Sequence, residues 1–498
     1  MALGGLDIGT SGCKCTVMTA AGRTLASRYQ AYAVSRTAGA HEVEAAVIWE
    51  AVKTVVRGAC AASGEPVEAL CVTSFGESCV LLDGEGRELA PILLYTDPRG
   101  GEQCARLSAR MGEEAIYRLS GHRPNPMYFL PKLMWYRDNR PELYDSVRLV
   151  LPVNAYVAYR LCGEAATDTT QAARTMMLDI RARDWSGELL TAAGVSRDIL
   201  PPVTQAGTAV GKALPAVAEE LGLPQGAKIV IGCHDQVAAA IGAGALRPGM
   251  AVNGSGTVEC VTPVFAAIPE AAALFDGGYA VVPAPGGVYV TYAFIFTGGA
   301  LLQWYRDNFA GELRARAEAQ KTSVYALLDA AVKPEPSGLL TLPHFAGAAT
   351  PYMDTGAKGA VCGLSLENDA ADVYRSLLEG VAYETRVNLE LLEAAGIRVD
   401  SLRATGGGAR SAAWLRIKAD ILGRPIDTLE NDEAGTVGSI LLAGLATGGY
   451  ASLDEAMSAV GVGRRFSPAA DRGRYDGLYR KYRRVYAAMK QIEREEPV

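Results

Sequence analysis

Apolar residues fall into short runs cut by glycine, and these runs alternate with segments of helical spacing. The first segment, "GGLDIGTSGCKCTVMTAAGRTLAS", reads as strand, Gly-rich turn, strand, turn and strand. Leu6 and Ile8 lead in, Thr16 and Val17 carry the second strand, and Ala21-Gly22 makes a tight turn. About half a chain later "GMAVNGSGTVECVTPVF", Gly249 to Phe265, repeats this plan with Gly254-Ser255-Gly256-Thr257 at the turn. Between them "ALCVTSF" and "CVLLD" flank a loop at Gly76-Glu77-Ser78, and "AKIVIGC" reads as a buried strand. The second half continues with "GGVYVTYAFIF", a helix "GGALLQWYRDNF", and "SLRATGGGARSAAWLRIKADILGRPI". Near the end Leu478, Tyr482, Val485, Met489 and Ile492 share one face of a single expected helix.

Alternation of this kind predicts α/β domains, with ligands at the ends of the strands. The repeated opening predicts two similar halves. The boundary is placed near "GALRPGM", giving domains of 1–245 and 246–498.

Composition narrows the function. A length of 498 residues exceeds one ordinary core, and 49% apolar with 21% charged residues is globular. A net charge of −7 argues against a general nucleic-acid partner. The basic run Arg480–Arg484 is read as the solvated side of its helix. No basic leader with an apolar core and no long apolar span is visible, so a cytoplasmic location without membrane partners is expected. Ten scattered cysteines suit reduced thiols, and Cys13 with Cys15 lacks the further ligands a zinc site needs.

Candidate chemistry begins at "VIGCHDQVAAAIGAG", Val230 to Gly244, where a buried strand gives way to a small-residue helix. A carboxylate at that junction, Asp235, is costly unless paired or hydrogen-bonded. Capping the helix is one use for it. Three Gly/Ser/Thr loops also follow strands, at Gly9–Gly12, Gly254–Thr257 and Gly406–Gly408, and such loops can cradle phosphate oxygens. Neither the dinucleotide fingerprint nor the P-loop pattern fits. What remains is Asp7 before a phosphate-type turn, mirrored by a second turn in the other half.

Here a resemblance becomes specific. "LDIGTSGCK" resembles the first phosphate motif of the FGGY carbohydrate kinases, in wording nearest the xylulokinases. "GAVCGLSLENDAADVYRSLLEG", Gly359 to Gly380, is similar to that family's second signature, with Leu377 where a smaller or β-branched residue is usual. "FLPKLMWYRDN" matches the first signature from Lys132 and Trp135 onward, with Phe129 as a departure. "GCHDQ", "GSGT", "GGALLQW" and "GGGARS" follow in the family's order. The resemblance implies two actin-like (ribonuclease H-like) domains facing each other across a nucleotide and sugar cleft. It implies ATP as phosphoryl donor, with Mg²⁺ and a sugar or polyol as acceptor, and it allows a homodimer.

By this resemblance Asp235 is the catalytic base and Gln236 holds a substrate hydroxyl, with His234 a neighbour. Asp7 organises Mg²⁺. Thr10, Ser11, Gly12 and Lys14 match the first phosphate loop, Gly256 and Thr257 the second, while Gly299, Gln303 and Gly408 match nucleotide positions. At Ala412 the glycerol kinases carry an adenine-contacting Asn, which alanine cannot replace. At Gly76 and Glu77 the glycerol kinases carry Arg-Glu and the xylulokinases Met-His, so this chain departs from both. Glu77 is expected to accept hydrogen bonds from the acceptor, its alternative being a solvated loop carboxylate. Asp97 and Arg99 either line the same site or serve a turn around Pro98. A ketopentose such as xylulose is the expected acceptor, with glycerol or another polyol as the alternative. A catalytically silent clamp, a chaperone-type ATPase and a dehydrogenase are the rivals. The first finds no support with Asp7, Asp235 and Thr257 all present; the chaperone lacks a peptide-binding domain, and the dehydrogenase lacks its fingerprint.

Overall fold

The structure, a computed structural model, describes residues 1–270, 272–470 and 473–494. The chain divides into two compact units. The first takes Met1–Leu246, Ala280–Val290 and Glu433–Val460; the second takes Arg247–Tyr279, Thr291–Asp432 and Gly461–Val498. The boundary expected near Gly244–Met250 therefore falls at Leu246, but 246–498 is not one contiguous body. Residues 433–460 pack with the first unit because their helix lies on the first unit's sheet.

That sheet consists of β1 (Ala2–Ile8), β2 (Gly12–Thr19), β3 (Thr24–Ala31), β4 (Val67–Ser74), β5 (Ala209–Lys212) and β6 (Lys228–His234), in the order β5-β6-β4-β1-β2-β3. The second unit holds β7 (Gly249–Ser255), β8 (Glu259–Phe265), β9 (Ala293–Ile295), β10 (Val399–Thr405), β11 (Ile426–Leu429) and β12 (Val462–Phe466). These six strands of an eight-stranded sheet, in the order β12-β11-β10-β7-β8-β9, repeat the order of the first, including the antiparallel hairpin and the antiparallel outer strand. The duplicated plan read from the turns is thus a duplicated topology.

Two registers position the chemistry. The parallel strands β1, β4 and β6 end level, with Ile8 beside Ser74 and Ser74 beside His234. In the second unit Gly254 of β7 stands beside Thr405 of β10. Loops leaving carboxyl ends that finish together must lie side by side, which is where α/β sheets bind ligands. The register between β6 and β4 also slips between Ile231 and His234, an irregularity of the kind that re-aims side chains beside functional sites.

Helices complete the frame: α1 (Ala45–Ser63), α2 (Phe129–Asn139), α3 (Thr169–Ala173), α4 (Asp235–Gly242), α5 (Gly299–Phe309), α6 (Ala370–Ala394), α7 (Ala412–Leu422), α8 (Ala434–Thr447), α9 (Gly473–Tyr482) and α10 (Val485–Arg494). In the first unit α1 covers β2 and β3, and α8 lies against β1 and α4. Glycine makes the second arrangement possible. A Cβ on Gly242 would lie 1.9 Å from the Ala434 carbonyl oxygen, and one on Gly438 would lie 1.9 Å from that of Ala238. The single C-terminal helix expected from the spacing is instead α9 and α10, interrupted at Arg483 and Arg484. The interruption rotates the stripe: Tyr475, Tyr479, Tyr482 and Val485 are buried, Leu478 and Met489 pack at the margin, and Ile492 is exposed. Arg480, Lys481, Arg483 and Arg484 are exposed, as the solvated reading required.

Gly242→Ala should lower the thermal midpoint of the first unit, since relieving that overlap typically costs ~1–3 kcal/mol or more. Gly187→Ala, where nothing lies within 4 Å of the added Cβ, should leave the melt unchanged.

Candidate active site

In the first unit the level strand ends gather carboxylates. Asp7 stands opposite Lys14 in the β1–β2 hairpin, and the turn between closes through Gly9 N–H donating to the Gly12 carbonyl at 2.9 Å. The Tyr32 hydroxyl donates to the Gly9 carbonyl, and Tyr29 crowds the space a Cβ on Gly12 would need. Thr10 is half-buried and Ser11 exposed in this turn. Lys14 Nζ is 2.6 Å from Glu433 Oε2, so its charge is engaged by the segment that leads into α8. Desolvation raises the Asp7 carboxyl to about 6 against the lowering pull of Lys14.

Asp235 opens α4 directly after β6, and its Oδ1 accepts the Gln236 N–H at 2.6 Å. That bond engages one N–H of the first turn, although His234 and not Asp235 occupies the cap position. His234 Nε2 lies 3.2 Å from the same oxygen, with 32% of the Asp235 side chain exposed. Burial holds the His234 imidazole well below its usual pKa, so it stays neutral beside the carboxylate. Desolvation, with Asp7 and Glu77 adding like charge, raises Asp235 to about 7. An aspartate poised there is matched to proton abstraction near neutral pH. Gln236 is half-buried next to it.

Glu77 is not a solvated loop carboxylate. It is 6% exposed, adopts a left-handed backbone with φ 62°, and accepts from Arg174 Nε. Arg174 follows α3, lies over the Tyr128 ring at 5.3 Å to its centroid, and faces His122 Nε2 at 3.5 Å. Burial and Arg174 hold His122 well below its usual pKa. Lys132 of α2, fully buried, donates to the Pro126 and Met127 carbonyls at 2.7 and 2.9 Å and so fixes the loop that delivers Tyr128. Arg174, His122 and Tyr128 went unmarked in the sequence because no spacing links them to Glu77. The one available sign was His122, as one of four histidines. Asp97 accepts from His41 N–H at 2.8 Å and from Arg99 at its own turn, while Arg99 also pairs with Glu42. Those bonds account for the Asp97 turn.

The Gly-rich segments of the second unit converge. Gly299 N–H donates to the Gly256 carbonyl at 2.8 Å and Ala300 N–H to that of Thr257 at 3.0 Å, so α5 begins on the turn between β7 and β8. A Cβ on Gly408 would fall 2.4 Å from Ser255 Cβ, and one on Gly406 2.8 Å from the Ser255 carbonyl oxygen. Gly256, Thr257 and Gln303 are exposed and Gly408 half-exposed around this meeting point, with Ala412 exposed at the start of α7. Beneath it Lys418, fully buried, pairs with Glu259 and donates to Ser255 Oγ at 2.7 Å and Asn253 Oδ1 at 3.1 Å. Its ammonium also sits 4.0 Å from the Trp414 ring centroid.

Sequence models of the FGGY family of carbohydrate kinases match this chain in both parts, the N-terminal domain over residues 2–242 and the C-terminal domain over 254–447. The chain belongs to the FGGY family. It is 29% identical to a xylulose kinase of Escherichia coli (strain K12), over 97% of this chain and 98% of that one. It is 30% identical to an autoinducer-2 kinase of Enterobacter sp. (strain 638), over 84% and 81%. The crystal structure of a xylulose kinase from Rhodospirillum rubrum superposes with a TM-score of 0.89 at 26% identity, over 99% of each chain. The FGGY fold is thus carried over the whole length. Among the described residues no helix is long and apolar enough to cross a membrane.

Two outcomes follow from these charges. If Asp235 must be ionised to act, kcat/KM should rise with pH through a midpoint near 7 and level off above it, measured with acceptor limiting. Lys418→Met should destabilise the second unit by ~3–5 kcal/mol, because Glu259 is left as an unpaired buried carboxylate. The Lys418→Met/Glu259→Gln double variant should regain most of that loss in chemical denaturation.

Proposed function

We propose that the protein transfers the γ-phosphoryl group of ATP to a hydroxyl of a ketopentose such as xylulose, with Asp235 as the general base. The observation that supports this most is the placement of Asp235 at the level ends of β1, β4 and β6, beside Glu77 and with a carboxyl raised to about 7. The acceptor hydroxyl would give its proton to Asp235 as its oxygen forms the new bond to phosphorus and the bond to the departing ADP breaks. Phosphoryl transfer needs positioning and charge neutralisation more than covalent help. The exposed backbone of Gly256, Thr257 and Gly408, the start of α5 at Gly299 with Gln303, and the Thr10–Gly12 turn with Lys14 would serve the nucleotide. Glu77, Gly76 and Gln236 would line the acceptor site.

A divalent metal fits the residues present. Among the described residues no group of three or more His, Cys, Asp or Glu side chains gathers to cage an ion. Asp7 offers one hard oxygen donor beside the phosphate-type turn, which suits Mg²⁺ held chiefly by phosphate oxygens and water. When bound, Mg²⁺ would neutralise charge on the transferred phosphate. The xylulose assignment leans on the relatives' names and on the wording of the first phosphate loop, while the Gly76-Glu77 departure keeps other polyols as the alternative.

Purified protein with Mg-ATP and a panel of ketoses and polyols, read by coupled ADP release, tests this. Turnover dependent on a ketopentose is expected, and Asp235→Asn should lose ~10²–10⁴-fold in kcat while the nucleotide still binds. Unchanged turnover in that variant would remove Asp235 from the chemistry.

A further inference from the structure

Gly76 is the residue that breaks the family wording, and the structure shows what stands next to it. A Cβ at position 76 would lie 2.9 Å from His234 Cδ2 and 3.1 and 3.2 Å from Arg174 Cβ and Cγ. The ground beside Glu77 is therefore taken by an arginine arriving from the end of α3. Two of its nitrogens, Nε and Nη2, converge on a single Glu77 oxygen, Oε1. Its third nitrogen faces His122, and the Tyr128 ring supports its plane. A non-glycine residue at φ 62° is held only where its surroundings impose it, and this fork supplies that constraint.

Charge then limits what can bind. Around Asp235 stand the carboxylates of Asp7 and Glu77 and the guanidinium of Arg174. Lys14 is engaged by Glu433, Lys132 is turned to backbone carbonyls, and His122 and His234 are neutral. Arg174 is already matched by Glu77, and a further cation nearby, Arg36, acts with Glu77 and Asp235 on Tyr95. With Asp7 assigned to the metal, Asp235 is the carboxylate that an acceptor meets. A carboxylated acceptor would meet repulsion there. An uncharged one can offer hydroxyls to Glu77 Oε2 and Asp235.

Resting on the kinase reading above, we propose that Arg174 is the specificity-determining residue of the acceptor site: it acts through Glu77, fixing that carboxylate to read a hydroxyl of an uncharged polyhydroxy acceptor and to exclude sugar acids. It is a positioning residue and takes no part in the proton transfer.

The test is steady-state kinetics on the full chain with D-xylulose, D-ribulose, glycerol and D-gluconate, for native protein, Arg174→Lys, Arg174→Gln and Glu77→Gln/Arg174→Gln. The last neutralises both partners, so no buried charge is left alone if Arg174→Gln folds poorly; thermal melts accompany each protein. Native protein should favour an uncharged acceptor over gluconate by about 10²-fold or more in kcat/KM. Arg174→Gln and Arg174→Lys should lose about 10²-fold for that acceptor, mainly through KM, with the KM for ATP within about twofold. They should also narrow the gap between xylulose and ribulose, which a purely structural loss would leave intact. A native preference for gluconate would overturn the proposal, as would an unchanged acceptor ranking in folded variants. Absence of turnover by native protein with every acceptor would sink the kinase reading and this inference together, whereas normal native turnover with indifferent variants would sink this inference alone.

Discussion

Carboxylates that repel one another are held at one edge of the first unit's sheet, and much of that unit can be understood as the means of keeping them there. Asp7, Glu77 and Asp235 each come from the end or the following turn of a parallel strand, and those strands end level. Left to water such groups would separate. Here the β1–β2 hairpin fixes Asp7, the Arg174 fork fixes Glu77, and the Gln236 N–H at the opening of α4 fixes Asp235. The residual repulsion, added to desolvation, is what raises the Asp235 carboxyl to about 7. The raised carboxyl is thus a consequence of burial and crowding, and the glycine contact of α4 with α8 matters because it fixes where α4 lies.

The second unit solves a different problem with the same topology. Counting back from the last hairpin pair, Gly254 and Cys260 occupy the positions that Asp7 and Lys14 hold in the first unit. Charge at the surface is replaced by bare backbone, which approaches an anion closely and offers N–H groups. Charge reappears one layer down, where Lys418 ties Glu259, Asn253 and Ser255 together. Because Ser255 also abuts Gly406 and Gly408, that buried cluster sets the spacing of two loops at once. A hydrophobic replacement of equal volume could match its stability, but it would not hold Ser255 by a directional hydrogen bond.

What the sequence made legible was local. The strand-turn-strand openings, the helix after Asp235 and the Gly-rich loops all depend on neighbouring residues, and each is found where the pattern placed it. The helix pattern at the C-terminus misled because its break at Arg483 and Arg484 leaves no proline or glycine as a mark. The assignment of 433–460 to the first unit was equally hidden, since nothing in the composition of α8 says on which sheet its small-residue face will lie. Glu77 shows the limit most clearly. Its loop was evident, but its burial depends on Arg174, 97 positions away.

That separation bears on how the surroundings of Glu77 are encoded. A motif at positions 76 and 77 reads as a departure from two known wordings only while the pair is treated as self-contained. In the folded unit the cation beside Glu77 comes from position 174, and it passes close over Gly76, where a Cβ would meet Arg174 Cβ and Cγ at 3.1 and 3.2 Å. Gly76 and Arg174 thus share one tight place in the fold. A guanidinium delivered by a neighbouring residue on the same loop would move with that loop. One delivered from the end of α3, backed by Tyr128, is held by separate elements, and Tyr128 is itself steadied by Lys132. A carboxylate held in this way is rigid, and a fixed carboxylate would penalise a missing or inverted hydroxyl on a bound molecule more than a mobile one can.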